Sequence, residues 1–133
     1  MVVDTSAILA IIFEEAEFAA VVSAIDSAKV VRISVATYFE AAMVLDRRGD
    51  ALQRSALDDL MEKSDAHLEP VTFEQAKLAR QAFEQYGKGR HPAALNYGDC
   101  FTYALAKATR EPVLFKGSDS SKTDLPLAVK PPQ

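Results

Sequence analysis

The chain has 133 residues and one cysteine; 49% of its residues are hydrophobic, 26% are charged, and the formal net charge is −4. We expect a single globular domain spanning residues 1–133, which excludes a largely disordered protein and one held to nucleic acid by bulk positive charge. The longest apolar run, residues 7–13, is far shorter than the roughly 20 residues of a membrane span and follows no basic segment. We therefore expect neither a membrane anchor nor a secretory signal. A single cysteine fits a reducing, cytoplasmic location.

The first half of the chain alternates short β-branched runs with helix-like apolar spacing. Val2 and Val3 form an apolar start that ends at Asp4, and the run before Ser34 is again β-branched, so both are predicted as strands. Ser34 is a favoured N-cap and Gly49 a favoured C-cap, which bounds the helix between them. The predicted elements are a strand at residues 2–3, helices at 6–13 and 14–28, a strand at 29–34, and helices at 35–48 and 50–65.

The second half continues the same alternation. Thr72 and Gln75 have the spacing of a capping box, and Asn96 is a second helix cap. The predicted elements are an edge strand at residues 67–71, a helix at 72–86, a loop at 87–95, a helix at 96–109, a strand at 112–115, a polar loop at 116–124 and a last strand at 125–129. Strands separated by helices predict an α/β fold in which a parallel sheet has helices on both faces and binds ligands at the carboxyl ends of its strands.

Four acidic residues fall near that edge of the predicted sheet. Asp4 and Asp119 come just after predicted strands, and Glu40 and Asp99 lie about one turn into helices that begin there. Acids that converge at one edge would repel one another without a cation, and Mg²⁺ or Mn²⁺ prefers carboxylate and water oxygens. The four acids therefore predict a divalent-metal site, and a metal-activated water at such a site can cleave a phosphodiester bond.

Each acid also has a simpler interpretation that stays open. Asp4 is a good helix cap, since Asp, Thr and Ser all cap helices well. Asp99 lies near a helix N-terminus, where a carboxylate interacts favourably with the helix dipole. Glu40 lies within a helix, and such a glutamate more often points into water. The metal-site prediction therefore depends on the four acids acting together.

Several other kinds of site do not fit the sequence. A phosphatase with an Asp-x-Asp nucleophile needs an acid where this chain has Ser6, and a phospho-receiver domain needs one within the apolar run 30–34. No phosphate-binding Gly-x-x-x-x-Gly-Lys-Ser/Thr loop is present. Cys100 has no histidine nearby in sequence and is predicted as a small buried hydrophobic residue. The isolated His67 and His91 make a histidine-based zinc site improbable.

Four stretches of the chain together resemble a known family. They are Val-Asp-Thr-Ser-Ala at residues 3–7, Glu-Ala-Ala-Met-Val-Leu at 40–45, the run from Tyr86 to Ala106, and Leu-Phe-Lys-Gly-Ser-Asp at 114–119. These residues resemble the PIN-domain ribonucleases and, more narrowly, the VapC toxins of bacterial toxin–antitoxin pairs. The resemblance covers nearly the whole chain, and residues 87–106 are its most specific part.

The resemblance implies a PIN-like three-layer fold with a central, mainly parallel sheet, and a Mg²⁺- or Mn²⁺-dependent endoribonuclease. Asp4, Glu40 and Asp99 match three core acids of the family, and Asp119 matches the fourth. Serines flank Asp119 where the family commonly has an acidic or amide residue and an aromatic one. This departure keeps open a catalytically weak or silent PIN-like module that only binds a partner protein. A structural module whose acids are surface caps is the third possibility.

The resemblance also implies partners: an RNA substrate, a VapB-like antitoxin that inhibits the toxin, and a second copy in a homodimer. The apolar faces within residues 16–25 and 35–45 are candidate surface for the antitoxin. Four basic or potentially basic loop residues are candidate phosphate contacts, with a solvated loop as the alternative for each: Lys88, Arg90, His91 and Lys116.

Overall fold

The structure, a computed structural model, describes residues 1–116 and 123–128. In chain order the elements of this part of the chain are β1 (Val2–Val3), α1 (Thr5–Ile12), α2 (Phe18–Ser27), β2 (Arg32–Ser34), α3 (Val35–Arg48), α4 (Ala51–Lys63), β3 (His67–Glu69), α5 (Phe73–Tyr86), α6 (Tyr97–Thr109) and β4 (Val113–Leu114). The four strands are all parallel and form one sheet in the order β3-β2-β1-β4. No helix within the described ranges is both long and apolar enough to cross a membrane.

Both faces of the sheet are covered, because successive strand residues point to opposite sides. Val3 and Leu114 belong to a hydrophobic cluster built with side chains of α1 to α4. Val2 and Val113 belong to a second cluster, built with α5 and α6. Burial of all four side chains is essentially complete. The sheet is therefore the middle of three layers, and the predicted α/β fold with a mainly parallel sheet is confirmed.

The strands are shorter than their sequence patterns predict. Strand β2 covers only the last three residues of the predicted range 29–34. Strand β3 ends at Glu69 because the next residue, Pro70, has no backbone N–H to donate to a sheet. Of the predicted last strand at 125–129, residues 125–128 are described, and Leu127 forms an isolated parallel bridge with Val113. The bridge extends the sheet by one residue pair beyond β4.

Polar side chains cap the N-termini of several helices, as the sequence predicts. Asp4 accepts a hydrogen bond from the first turn of α1, and Ser34 accepts one from the first turn of α3. The Thr72 hydroxyl accepts from the Gln75 amide at 3.1 Å, which is one of the two bonds of the predicted capping box. Asp4 directly follows β1 and Ser34 is the last residue of β2, so these caps fix where α1 and α3 leave the carboxyl edge of the sheet.

An ion-pair network centred on Arg32, the first residue of β2, ties the strands together. Arg32 donates to Glu111 at 2.8 Å and to Glu69 at 2.6 Å, and the Met1 amino group donates to Glu111 at 2.9 Å. Burial acts to raise the pKa of Glu111, but the hydrogen bonds from Arg32 and the Met1 amino group outweigh it and lower that pKa. The network joins β1, β2, β3 and the residues just before β4, so its role is structural.

A Glu111→Gln variant is expected to lower the free energy of unfolding at pH 7 by about 1 kcal/mol, because it weakens charge-assisted bonds at a partly exposed site. Since the folded state lowers the pKa of Glu111, its stabilising effect is present above the ordinary glutamate value of 4.5 and is lost as the pH falls through the folded-state pKa. Urea unfolding at several pH values measures the difference. A gap between the two proteins that stays constant from pH 7 to pH 3 would contradict this assignment.

Candidate active site

Asp4 lies at the carboxyl end of β1 and is held by three donors. Its Oδ2 accepts from the Ser6 amide at 3.0 Å and the Ser6 hydroxyl at 2.8 Å, and its Oδ1 accepts from the Thr102 hydroxyl at 2.6 Å. The Lys116 amide, just after β4, donates to the same Ser6 hydroxyl at 2.9 Å. Asp4 is only 7% exposed. It therefore caps α1, as the simpler interpretation expects, and also forms the buried centre of a polar cluster joining β1, α6 and the end of β4.

Glu40 does not point away from the protein. Its Oε1 accepts a hydrogen bond from the Thr5 hydroxyl at 2.5 Å, and Thr5 directly follows Asp4 in the chain. The carboxylate lies so close to Gly98 on α6 that a Cβ atom on that glycine would overlap it. The interpretation of Glu40 as a water-facing helix residue is therefore wrong. Its side chain fills the space between α1, α3 and α6, beside the residue that caps α1.

Asp99 lies in the first turn of α6, next to Gly98. Its carboxylate accepts from the Asn96 amide at 3.0 Å, and its own amide donates to the Asn96 side chain at 2.9 Å, so the two residues form a capping box. The simpler interpretation of Asp99, as a residue that stabilises a helix N-terminus, is therefore correct. Gly98, the residue before Asp99, contacts the Glu40 carboxylate, so the turn that carries Asp99 adjoins α3.

The fourth predicted acid, Asp119, lies outside the described residues. Within residues 1–116 and 123–128, no three His, Cys, Asp or Glu side chains are grouped closely enough to hold a metal ion by themselves. The same ranges contain no Lys, Arg or His that forms an ion pair with Asp4 or Glu40. Mg²⁺ in proteins commonly takes one or two carboxylates and keeps several waters. The oxygen donors of Asp4 and Glu40 fit that kind of site.

Comparison with known proteins identifies the family of this chain. The family model for the PIN domain matches residues 1–125. The ribonuclease VapC28 of Mycobacterium tuberculosis is 48% identical over 130 residues, which cover 97% of this chain and 98% of that protein. The ribonuclease VapC30 of the same organism is 40% identical over 131 residues, covering 98% of this chain and 100% of that protein. The chain belongs to the PIN-domain family.

The relatives at 40% to 48% identity also place this PIN domain in the VapC group, and the predicted family is confirmed. A VapC ribonuclease of Mycolicibacterium smegmatis is 42% identical over 125 residues, covering 94% of this chain and 97% of that protein. The crystal structure of VapC20 from Mycobacterium tuberculosis, described as a toxin that cleaves the sarcin–ricin loop, superposes with a TM-score of 0.79 at 19% identity, covering 98% of each chain. That likeness supports the fold.

The predicted phosphate contacts of this PIN domain have different surroundings. Lys88 is exposed. The Arg90 guanidinium lies 5.6 Å from the centre of the Phe83 ring. His91 accepts a hydrogen bond from the Ala93 amide at 3.0 Å and packs edge-on against a tyrosine of α5. The loop that carries these residues leads into the first turn of α6, beside Asp99, but the described contacts of Arg90 and His91 are within the loop and to α5.

Lys116 contacts the polar cluster around Asp4 through its backbone amide. Its amide donates to the Ser6 hydroxyl, while its ammonium group pairs with Glu15. The hydrogen bond that the ammonium donates to Glu15 raises the pKa of Lys116. A phosphate group could use this ammonium only by competing with Glu15.

Cys100 is buried, as its sequence context predicts. Burial, with a smaller effect of the neighbouring Asp99, raises the pKa of its thiol to about 11. At neutral pH the group is therefore a protonated thiol with little nucleophilic character. Cys100 packs as a small hydrophobic residue and takes no part in the chemistry of the acids.

Two residues of the site were not predicted from the sequence. Thr102 donates to Asp4, and Gly98 provides the space that the Glu40 carboxylate occupies. A weak signal for Thr102 exists, because it lies three residues after Asp99 and therefore on the same face of α6. For Gly98 the sequence holds no such signal, since the side chain that needs its space comes from a distant helix.

Grooves on the described surface include one beside α6 and one beside α2. One, of about 420 Å³ and almost wholly apolar, runs between α5 and α6. It is lined by Ala76, Ala79, Arg80, Phe83, Tyr97, Cys100 and Phe101. The other, of about 180 Å³, lies between α1, α2 and α4. Val22 and Ile25 line it, so the predicted apolar face within residues 16–25 borders a groove.

Proposed function

We propose that this chain is a metal-dependent endoribonuclease and the toxin of a type II toxin–antitoxin pair. Its relatives at 40% to 48% identity are named ribonucleases. The observation that carries the proposal is the placement of the Glu40 carboxylate against α6 and the hydroxyl of Thr5, directly beside the buried Asp4. Two carboxylates from distant parts of the chain share one edge of the sheet without a described cationic side chain between them.

The residues proposed to hold a Mg²⁺ or Mn²⁺ ion are Asp4, Glu40, Asp99 and Asp119. Asp4 would bind the ion as a ligand, and Glu40 would bind it directly or through water. For Asp99 to join them, its carboxylate has to turn from the Asn96 amide that donates to it. When bound, such a cation supplies Lewis-acid chemistry: it favours deprotonation of a water and offsets negative charge that develops on the phosphate. Asp119 is proposed from the family resemblance alone.

The other residues of the site position these acids and the RNA. Thr5 fixes the Glu40 carboxylate by hydrogen bonding. Ser6 links Asp4 to the backbone at Lys116 and so fixes the end of β4 relative to β1. We propose that Lys88 and Arg90 contact substrate phosphates, because both side chains are exposed on the loop that leads into α6. His91 and Lys116 complete the proposed contact set, with Lys116 released from Glu15 on binding.

The proposed partners follow from membership of the VapC group. A VapB-like antitoxin would cover the groove between α1, α2 and α4, and a second copy of the chain would form a homodimer. The proposed place of action is the cytoplasm, where RNA is available and a single cysteine stays reduced.

A cleavage assay with controlled metal content tests the activity. We expect the purified protein to cut a structured RNA with added Mg²⁺ or Mn²⁺, to stop when EDTA is in excess, and to recover when the metal is restored. A DNA strand of the same sequence is the matched substrate control. Cleavage that continues in EDTA would contradict the metal dependence. Mn²⁺ binding without cleavage of any RNA tested would favour the silent protein-binding module instead.

A further inference from the structure

Behind the acids lies a second layer of buried hydroxyl groups. Thr102 is 4% exposed and its Oγ1 lies 2.6 Å from Asp4 Oδ1. Thr37 is 2% exposed and its Oγ1 lies 3.4 Å from Thr102 Oγ1. Thr37 is three residues before Glu40 on α3, and Thr102 is three residues after Asp99 on α6, so each helix directs one carboxylate and one hydroxyl to the same face.

The number of protons fixes the direction of these hydrogen bonds. An ionised carboxylate only accepts, so Thr102 uses its single hydroxyl proton on Asp4. The contact between the two threonines then requires Thr37 to be the donor and Thr102 the acceptor. The result is a chain from Thr37 through Thr102 to Asp4 in which each donor polarises the next, in a place where buried hydrogen bonds are least weakened by water.

Counting the donors to each oxygen of Asp4 shows which oxygen can still accept a bond. A carboxylate oxygen has two lone pairs in its plane. Among donors from residues 1–116 and 123–128, the amide and hydroxyl of Ser6 use both lone pairs of Oδ2, whereas Oδ1 receives one bond, from Thr102. With respect to these residues, one lone pair, on Oδ1, remains. The bond from Thr102 to that oxygen therefore sets the direction in which the remaining lone pair points.

We infer that Thr102, supported by Thr37, is a positioning residue that makes Asp4 present Oδ1 as its single ligand atom to a divalent cation. The inference rests on the proposed function, because it requires a cation at Asp4. It also gives a reason for a buried threonine in an otherwise apolar stretch of α6, where Ala104, Leu105 and Ala106 are completely or nearly completely buried. A valine would fill this space without directing the carboxylate.

Mn²⁺ titration of metal-free protein, read by calorimetry, tests the inference without an activity assay. A Thr102→Val variant removes the hydroxyl and keeps the shape, and we expect its Mn²⁺ affinity to fall about ten-fold, as for other groups that orient a metal ligand. Thr102→Ser keeps the hydroxyl and is expected to bind Mn²⁺ about as tightly as the wild type. If the valine variant does not fold, comparing Thr102→Ala with Thr102→Ser measures the same hydroxyl.

Thr109 provides a matched control on the same helix. Its hydroxyl donates to the Leu105 carbonyl at 2.8 Å, away from the acids, so Thr109→Val removes a hydroxyl and should leave Mn²⁺ affinity unchanged. Wild-type protein that binds Mn²⁺ together with a Thr102→Val variant that binds it equally well would overturn the inference alone. So would a serine variant as weak as the valine variant, since packing would then be the cause. Wild-type protein that takes up no Mn²⁺ would overturn the proposed function and the inference with it.

Discussion

An Asp4→Asn variant is expected to cleave RNA at least about a hundred-fold more slowly than the wild type while remaining folded. The substitution removes the negative charge and one of the two oxygens of the side chain that the structure buries at the centre of the site. Asparagine caps helices as well as aspartate does, so α1 should keep its start. The loss should therefore appear in the cleavage rate and in Mn²⁺ affinity, with little change in the free energy of unfolding.

Asp50 offers the matched control, because it also caps a helix with its carboxylate. It accepts from the Gln53 amide at 2.8 Å at the start of α4 and is exposed to solvent. An Asp50→Asn variant makes the same chemical change at a helix cap and is expected to cleave RNA at the wild-type rate. Equal cleavage by the Asp4→Asn and wild-type proteins would remove Asp4 from the mechanism. Unfolding of the Asp4 variant would show instead that its charge is needed for the fold.

The architecture was largely predictable from the sequence because it depends on local patterns. The β-branched residues before Asp4 and Ser34 mark the strands, and both polar residues act as the caps that their types suggest. The placement of Asp4 at the carboxyl edge follows from the strand and the parallel sheet together. Strand lengths were less predictable, because pairing at β2 begins where the neighbouring strands begin and not where the β-branched residues do.

The interior of the site was only partly predictable, since it depends on contacts between helices that are distant in sequence. Helical periodicity cannot show that Glu40 on α3 meets Thr5 on α1, and it favours a water-facing side chain. Asp99 illustrates the opposite case, because its sequence position correctly predicts a role at the helix N-terminus. Its use as a metal ligand, like that of Asp119, stays a prediction.

A Gly98→Ala variant is expected to remain folded and to cleave RNA about ten- to a hundred-fold more slowly, because displacing a catalytic group by about 1 Å has effects of that size. The three atoms nearest to a Cβ atom at this position all belong to the Glu40 carboxylate. That carboxylate is the end of a flexible side chain, so the added methyl group can move it without unfolding α6. The bond between Thr5 and Glu40 would then be strained or lost.

Combining this change with Glu40→Ala separates the steric effect from other effects of alanine at residue 98. With the carboxylate gone, the methyl group has space, and replacing glycine in a helix by alanine should raise the free energy of unfolding by up to about 1 kcal/mol. In the wild-type background the same change must displace Glu40, so the stabilisation should be smaller or reversed. Urea unfolding of the four proteins measures this difference as a coupling between the two positions. Additive effects would mean that the glycine is not there to make room for Glu40, because the contact between them would then carry no energy.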